Sequence, residues 1–342
     1  MITRRNFVVS LPGAAIAARA LAQTKPNIPV TGLSHMTLSV TDPKRSLEFY
    51  QGLFGMPIQA RQGTSPSLRI GSGPQFVFLS PTGPNGKPGI NHWCVFTDHF
   101  NVDRTLAVLA EHGITKSDTN GAMKARVRMR GPENGGAKEG TPELYVGDPD
   151  GLVVQIQATS YCGGAGVLGN VCLAKPEPAP SKGLIALEDL SHFTIFVTDA
   201  KRSFDFYQSV FAMPIQAHQG PTPLLAAGSG GQFLTIAGGG GGRAGAPAPM
   251  ASINHASFRM RNFDPDKVTK TLLSYGLKQR EEGARGPAGP MQTYISMRMP
   301  NRGGAPDGTP ELYFTDPDGI LLQIQDMSYC GGAGKMGEVC VP

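Results

Sequence analysis

The feature that most constrains this chain is that it repeats itself. Leu33-Ser34-His35-Met36-Thr37-Leu38-Ser39-Val40-Thr41-Asp42 returns as Leu190-Ser191-His192-Phe193-Thr194-Ile195-Phe196-Val197-Thr198-Asp199, and both copies run on into Lys-Arg-Ser and a shared Met-Pro-Ile-Gln-Ala. Further on, Ile90-Asn91-His92 matches Ile253-Asn254-His255, and Gly140-Thr141-Pro142-Glu143-Leu144-Tyr145 matches Gly308-Thr309-Pro310-Glu311-Leu312-Tyr313. Internal similarity of this length means two like units in tandem, expected over residues 27–172 and 185–342. Residues 173–184 between them form a linker, and its Lys175-Pro176-Glu177-Pro178-Ala179-Pro180 run is stiff and solvated.

Each unit divides once more. An alternating, strand-like stretch carrying a histidine is followed by a helical pattern and then by further short strand signals, and this happens twice per unit. In the first helix Asp42 caps, Pro43 takes the first position, Leu47, Tyr50 and Phe54 make the apolar stripe, and Gly55 ends it. Val102, Leu106 and Leu109 form the second stripe, closed by Gly113, as Val268 and Leu272 do before Gly276 in the other copy. Strands over Arg126 to Arg130 and Tyr294 to Met299 come next, then strand pairs turned by Asp148-Pro149-Asp150-Gly151 and Asp316-Pro317-Asp318-Gly319. The fold expected is α+β: four βαβββ modules paired into two cupped-sheet domains. The glycine-rich runs at Gly238 to Gly242 and Gly283 to Pro290 read as loops, and neither stands between a strand and a helix as a phosphate cradle does.

With 40% hydrophobic and 17% charged residues the chain is globular rather than disordered. Residues 1–22 read as a twin-arginine export signal: Thr3-Arg4-Arg5-Asn6-Phe7 precedes a mildly apolar, Ala-rich run closing on Ala20-Leu21-Ala22. This places the mature protein in the periplasm or outside the cell, with no membrane insertion after cleavage. Removing the signal takes away Arg4, Arg5 and Arg19 and no acidic residue, so the net charge falls from +5 to +2. The basic balance therefore belongs mostly to the signal, and nucleic acid is not an expected partner.

Cysteine usage agrees with an oxidising compartment. Cys162 and Cys172 bracket a Gly-rich loop that Cys330 and Cys340 bracket again, and each pair is expected to close a disulfide rather than a zinc site. Cys94, alone in an apolar strand pattern, reads as a small buried residue.

Four of the seven histidines, His35, His92, His192 and His255, recur at one place, each expected to begin the first strand of a module; His99, His112 and His218 do not recur. If paired modules form one cup, two imidazoles converge inside each, which proposes a metal site. A histidine satisfied within a packed sheet would also be copied by duplication, so a third ligand has to decide.

At this point the chain resembles a known superfamily, the vicinal-oxygen-chelate group that includes glyoxalase I, fosfomycin-resistance thiol transferases, bleomycin-resistance proteins and type I extradiol dioxygenases. The resemblance spans nearly all of the chain after the signal. It implies a metal-binding histidine on the first strand of each module and a Glu on the last strand, just after an Asp-Pro-x-Gly turn. In the extradiol enzymes a Tyr-x-x-Asp-Pro-x-Gly-x-x-x-Glu run carries a pocket tyrosine and that carboxylate. Here the runs are Tyr145-Val-Gly-Asp148-Pro-Asp-Gly151-Leu-Val-Val-Gln155 and Tyr313-Phe-Thr-Asp316-Pro-Asp-Gly319-Ile-Leu-Leu-Gln323. Both copies depart from the pattern at the decisive position, with Gln in place of Glu. The extradiol histidine just before the Leu-Tyr pair is also absent, which argues against orthodox ring cleavage.

The resemblance thus implies a metal site of His35, His92 and Gln155, and its copy of His192, His255 and Gln323, for Fe(II), Mn(II), Ni(II) or Zn(II). A neutral amide ligand leaves the ion's charge unreduced, giving weaker binding and a stronger Lewis acid. Strand alternation would equally leave Gln155 and Gln157 pointing away from the core with no ligand role. Tyr145 and Tyr313 are the candidate catalytic side chains, and Glu143 and Glu311, sharing their face, are alternative carboxylates. Arg130 and Arg298 are expected to hold an anionic or carbonyl group of a small-molecule substrate. Two functions follow: an exported metal enzyme acting on a small substrate with vicinal oxygens, or a metal-free binding protein of the bleomycin-resistance type.

Overall fold

A computed structural model describes residues 25–238, 250–284 and 287–340. The export signal lies outside the described residues, as do Gly239 to Gly242 and two residues of the Gly283 to Pro290 loop.

The first half runs β1 (Val30–Val40), α1 (Pro43–Phe54), β2 (Ile58–Gln62), β3 (Ser65–Arg69), β4 (Phe76–Pro81), β5 (Gly89–Thr97), α2 (Val102–Glu111), β6 (Thr115–Lys116), β7 (Lys124–Arg130), β8 (Thr141–Gly147) and β9 (Val153–Ala158). The second half repeats it as β10 (Asp189–Val197), α3 (Ala200–Phe211), β11 (Ile215–Gln219), β12 (Thr222–Ala226), β13 (Phe233–Gly238), β14 (Ser252–Met260), α4 (Pro265–Tyr275), β15 (Lys278–Gln279), β16 (Gln292–Arg298), β17 (Thr309–Thr315) and β18 (Leu321–Asp326). Two nine-stranded sheets result, ordered β2-β3-β4-β1-β5-β9-β8-β7-β6 and β11-β12-β13-β10-β14-β18-β17-β16-β15. In each, two βαβββ modules join through an antiparallel central pair, β1 with β5 and β10 with β14. This is the α+β, cupped-sheet architecture expected from the repeat. The short strands β6 and β15 were not foreseen, since two residues are too few to show a period.

Local chemistry explains the helix ends. Asp42 accepts from Lys44 N and Arg45 N, Pro43 opens α1, and Asp199 caps α3 through Arg202 N; such a cap contributes about 1 kcal/mol. Gly55 ends α1 in the left-handed region at φ 65°, yet Ala212 ends α3 at φ 52°. What requires glycine at 55 is crowding: a Cβ there would stand 2.5 Å from Gly183 N.

Alternation assigns the two faces of each sheet. Met36, Leu38 and Val40 of β1 are fully buried toward the helices, while His35 and Thr37 turn to the opposite, concave face. The pairing of β1 with β5 shifts between Leu33 and His35, and this irregularity sets the histidine on the cup side although Leu33, two residues earlier, belongs to the core. The four recurrent histidines therefore stand within their strands rather than at the strand starts.

The two halves share one continuous core. Phe49 and Phe54 of α1 pack on Phe314 and Phe258 of the second sheet, and Tyr207 of α3 packs on Trp93 of the first. Gln75 and Gln232 tie the sheets together at the pseudo-twofold: Gln75 donates to Leu33 O of its own half and accepts from Leu190 N of the other, and Gln232 donates to Leu190 O and accepts from Leu33 N. The Asp-Pro-Asp-Gly turns are part of this union. Asp318 accepts from Thr41 and Arg45, and Asp150 from Thr198 and Arg202. The linker is exposed but pinned, because Glu177 bridges to Ile58 through the backbone and to Arg61 through its carboxylate.

Candidate active site

The site is written along one row of the first sheet. Pairing runs Phe76 to His35, His35 to Cys94, Cys94 to Gln155, Gln155 to Tyr145 and Tyr145 to Arg126, across β4, β1, β5, β9, β8 and β7. Directly paired residues in a sheet share a face, so these side chains all point into the cup. His92 joins them from β5, paired with Thr37. The second sheet repeats the row as Phe233, His192, Ser257, Gln323, Tyr313 and Tyr294, with His255 beside Thr194.

At the floor of the first cup His35 Nε2 lies 3.1 Å and His92 Nε2 lies 3.0 Å from Gln155 Oε1. The Nδ1 atoms are held from behind, His35 by Ser34 Oγ at 3.1 Å and His92 by Asn91 Oδ1 at 2.8 Å. With the Asn91 oxygen accepting from Nδ1, His92 presents the Nε2 lone pair to the cup, and the Thr37 hydroxyl sits 3.1 Å from it. Serine can donate or accept, so His35 is free to present either a proton or a lone pair. His35 is stacked on Phe76, centroids 4.3 Å apart, and Tyr145 meets the His92 ring edge-on at 5.2 Å.

Burial keeps these rings uncharged. It pushes His92 down to about 4 and His35 well below the usual histidine range, the neighbouring His92 adding to the effect on His35. In the second cup burial likewise brings His255 down to about 4 and His192 well below its ordinary value. There the two Nε2 atoms are 3.4 Å apart, with Ser191 and Asn254 behind them.

This donor set fits a divalent ion. Two neutral imidazoles and one amide oxygen converge, their outward nitrogens are fixed by hydrogen bonds, and in the second cup the amide oxygen of Gln323 is a buried acceptor with no protein partner among the described residues. An ionic ligand is missing, since among the described residues no group of three or more His, Cys, Asp and Glu side chains is placed to hold a metal.

Behind the tyrosine stands a buried carboxylate. Glu143 accepts from Tyr145 and Tyr161 hydroxyls, both at 3.0 Å, and from Arg128 and Arg130 at 2.7 and 2.8 Å. Burial alone would raise its pKa, but Arg128 and Arg130 hold it below the ordinary carboxylate value. Tyr145 is driven up by burial and by Glu143, so it keeps its proton. Glu311 repeats the arrangement with Arg298, Tyr313 and Tyr329. Glu143 and Glu311 are thus neither solvated strand ends nor ligands beside the histidines; they anchor the pocket tyrosines.

Arg130 and Arg298 correct an expectation. Their side chains are 1% and 0% exposed. Each donates to its glutamate and to loop carbonyls, Gly135 and Gly164 for Arg130, Gly303 and Gly332 for Arg298. No donor faces the cup, so these arginines hold the disulfide loops in place instead of a substrate. Both expected disulfides, Cys162–Cys172 and Cys330–Cys340, are formed, and Cys94 is free and buried beneath the site.

Sequence reasoning missed Tyr161 and Tyr329, which line the cups and lie 5.6 and 5.7 Å from the His35 and His192 rings. The signal was present: Ser160-Tyr161-Cys162 recurs as Ser328-Tyr329-Cys330. Cavities of about 150 and 260 Å³ open above the two histidine pairs, the first lined also by Thr37, Gln62, Asn120 and Arg126.

Solved structures share this fold. Matching solved structures include BphC, a halotolerant catechol dioxygenase (14% identity, 90% of this chain and 87% of that chain, TM-score 0.57). The Mn(II)-bound glyoxalase from Novosphingobium aromaticivorans also matches (15% identity, 88% and 83%, TM-score 0.56). A third is homoprotocatechuate 2,3-dioxygenase from Brevibacterium fuscum in complex with 3,4-dihydroxyphenylacetate (17% identity, 88% and 81%, TM-score 0.56). At these identities the likeness is one of fold. No curated protein matches the chain by sequence. The family model described as glyoxalase/bleomycin resistance protein/dioxygenase superfamily matches twice, over residues 32–156 and 189–324. With both matches falling on the two sheets and together spanning most of the sequence, the chain belongs to the glyoxalase/bleomycin resistance protein/dioxygenase superfamily.

Proposed function

We propose that this protein is an exported metal-dependent enzyme, working in the periplasm or outside the cell on a small substrate that carries two neighbouring oxygens. The observation that carries the reading is the convergence of His35 Nε2, His92 Nε2 and Gln155 Oε1 within 3.1 Å at the floor of an open cup. His35, His92 and Gln155 would hold the ion, as would His192, His255 and Gln323, and Fe(II), Mn(II), Ni(II) or Zn(II) suits such nitrogen and oxygen donors. When bound, the ion supplies Lewis acidity toward the two substrate oxygens. The chain's own residues do the rest. The Asn91 and Ser34 contacts orient the imidazoles, Phe76, Phe78 and Tyr161 shelter the cup from water, and Tyr145 keeps its proton and its position on Glu143. Export by the twin-arginine route agrees with the disulfides and with loading of a metal before translocation.

A second reading, a metal-free small-molecule binder, is favoured by one observation: the Gln155 amide lies within hydrogen-bonding reach of both imidazoles, so turned to present its NH2 it would satisfy the first cup without an ion. Metal analysis of the mature protein separates the two. One ion per filled cup, with one lost in His92→Ala and one in His255→Ala, supports the enzyme. Metal-free protein whose far-ultraviolet spectrum is unchanged and which still binds aromatic ligands supports the binder. Export is tested by replacing Arg4 and Arg5 with lysine, which should retain the protein in the cytoplasm.

A further inference from the structure

Duplication lets one cup serve as the reference for the other. The inner residues agree: His, His, Gln, Tyr, Glu and the buried Arg occupy matching places in both sheets. Among the places where the two differ, the one that changes charge inside the row is on β7, where Arg126 and Arg128 of the first sheet stand against Tyr294 and Ser296 of the second. Arg128 is occupied, donating to Glu143 and to Gln62 Oε1. Arg126 is not: among the described residues its only contact of this kind is with the face of Tyr145, 5.9 Å from guanidinium carbon to ring centroid. In the second cup Tyr294 takes that place, stacked on Tyr313 at 5.2 Å.

A half-buried guanidinium with five donors and no protein acceptor, lining a cavity, is a site for an anion. We infer that the first cup selects a substrate bearing a carboxylate, which Arg126 receives, and that the second cup does not make this selection. The inference rests on the reading of His35, His92 and Gln155 as the place where the reacting oxygens sit, and it names the substrate class for that site. The sheet measures the ligand. Arg126 stands two strands from Gln155 in the same row, about 10 Å between backbones, with Tyr145 between them, 5.2 Å from the His92 ring. A planar ring of tyrosine size with a short acidic arm spans that gap. The remaining lining polar groups near the mouth, Asn91 and Asn120, are neutral, and the lining carboxylate Glu143 is already bonded to two arginines. Net charge on this wall therefore favours an anion. Among the described residues the cation lining the second cup is Arg302, on an exposed turn outside the row, and Arg280 lies over the Tyr294 ring, 4.9 Å from its centroid, without lining the cup.

The test compares phenylacetate with its neutral isostere phenylacetamide by titration calorimetry or ligand-observed NMR. Full-length mature protein is used, both metal-loaded and after treatment with a chelator. Wild type should prefer phenylacetate tenfold or more in both states. Arg126→Gln should abolish the preference while leaving phenylacetamide affinity unchanged, Arg126→Lys should restore part of it, and Arg302→Gln should leave it intact. The inference is overturned if wild type shows no preference, if Arg126→Gln retains it, or if the preference follows Arg302 or the metal. Neither probe carries vicinal oxygens, so these outcomes are independent of the metal analysis: a protein that holds no metal can still prefer phenylacetate through Arg126, and a metal-loaded one can fail to.

Discussion

Tyr207 of α3 donates its hydroxyl to Asp148 Oδ2 across 3.1 Å, and Tyr50 of α1 does the same to Asp316, so each half's helix is fastened to the other half's turn. The two aspartates also hold their own turns, accepting from Leu152 N and Ile320 N. They are fully buried, and burial raises each to about 6 despite those hydrogen bonds.

A carboxyl whose folded pKa is raised binds its proton more readily in the native state than in the unfolded one. Its stabilising contribution is complete below the ordinary value near 4 and is lost as pH climbs through about 6. Each aspartate should therefore favour the fold at pH 5 over pH 7.5 by roughly 1 kcal/mol. The four buried histidines, whose lowered pKa values favour the fold at the higher pH, act in the opposite direction, so urea midpoints at the two pH values are compared between wild type and variant. The Asp148→Asn, Asp316→Asn double variant, which keeps the turn acceptors, should show a steeper rise in midpoint from pH 5 to pH 7.5 than wild type. An unaltered slope in that variant would mean that other groups cause it.

Glu143 and Glu311 differ in how many cations neutralise them. Glu143 has Arg128 as well as Arg130, whereas among the described residues Glu311 is paired with Arg298 alone, residue 296 being serine. Removing one partner of a buried pair costs roughly 3 to 5 kcal/mol when the remaining charge is left uncompensated. Arg298→Met should approach that range and Arg130→Met should fall short of it, as read by denaturant unfolding. Equal losses would show that the loop carbonyls, and not the carboxylate, dominate the role of these arginines.

The disulfide loops are the other support of the cups. Gly164 O accepts from Arg130, Gly166 O accepts from Thr141, and Tyr161 beside Cys162 leans on His35. Closing a loop with a sequence separation of 10 stabilises by about 3 kcal/mol on the chain-entropy estimate. The Cys162→Ser, Cys172→Ser variant should lose about that much and bind ligands in the first cup more weakly, with the second cup unaffected. A loss confined to stability, with first-cup affinity intact, would show that Tyr161 holds its place without the loop.

How much of this was legible in the sequence follows from where each signal resides. The repeat and the periods of two and 3.6 gave the modules, and the Asp42, Pro43 and Gly55 punctuation gave the limits of α1, because those signals are local. That Gln155 faces the histidines was open, since alternation fixes only that Gln155 and Ile156 take opposite sides; the pairing of β5 with β9 supplied the answer. Arg130 misled because an arginine in an alternating strand looks free to meet a substrate, and only Glu143 and the folding of the Cys162 loop over it occupy its donors. The shared core was invisible for the same reason: Trp93 meets Phe193 through a docking that no local pattern encodes.

Gln155 offers the sharpest test of the metal reading. An amide oxygen is a weaker ligand than a carboxylate, and it leaves the cup's first three donors neutral. Glutamate at the same place keeps the reach and adds a charge beside two imidazoles that burial holds neutral. If residue 155 contacts the ion, Gln155→Glu should tighten Mn(II) or Zn(II) binding by at least tenfold in competition titrations, and Gln323→Glu should do so in the second cup. If residue 155 only satisfies the histidines, the variant should leave metal affinity unchanged and raise the pH at which His35 and His92 protonate, because a carboxylate within 3.1 Å stabilises an imidazolium. Histidine NMR titration of the metal-free protein beside the competition titration thus assigns Gln155 to one role or the other.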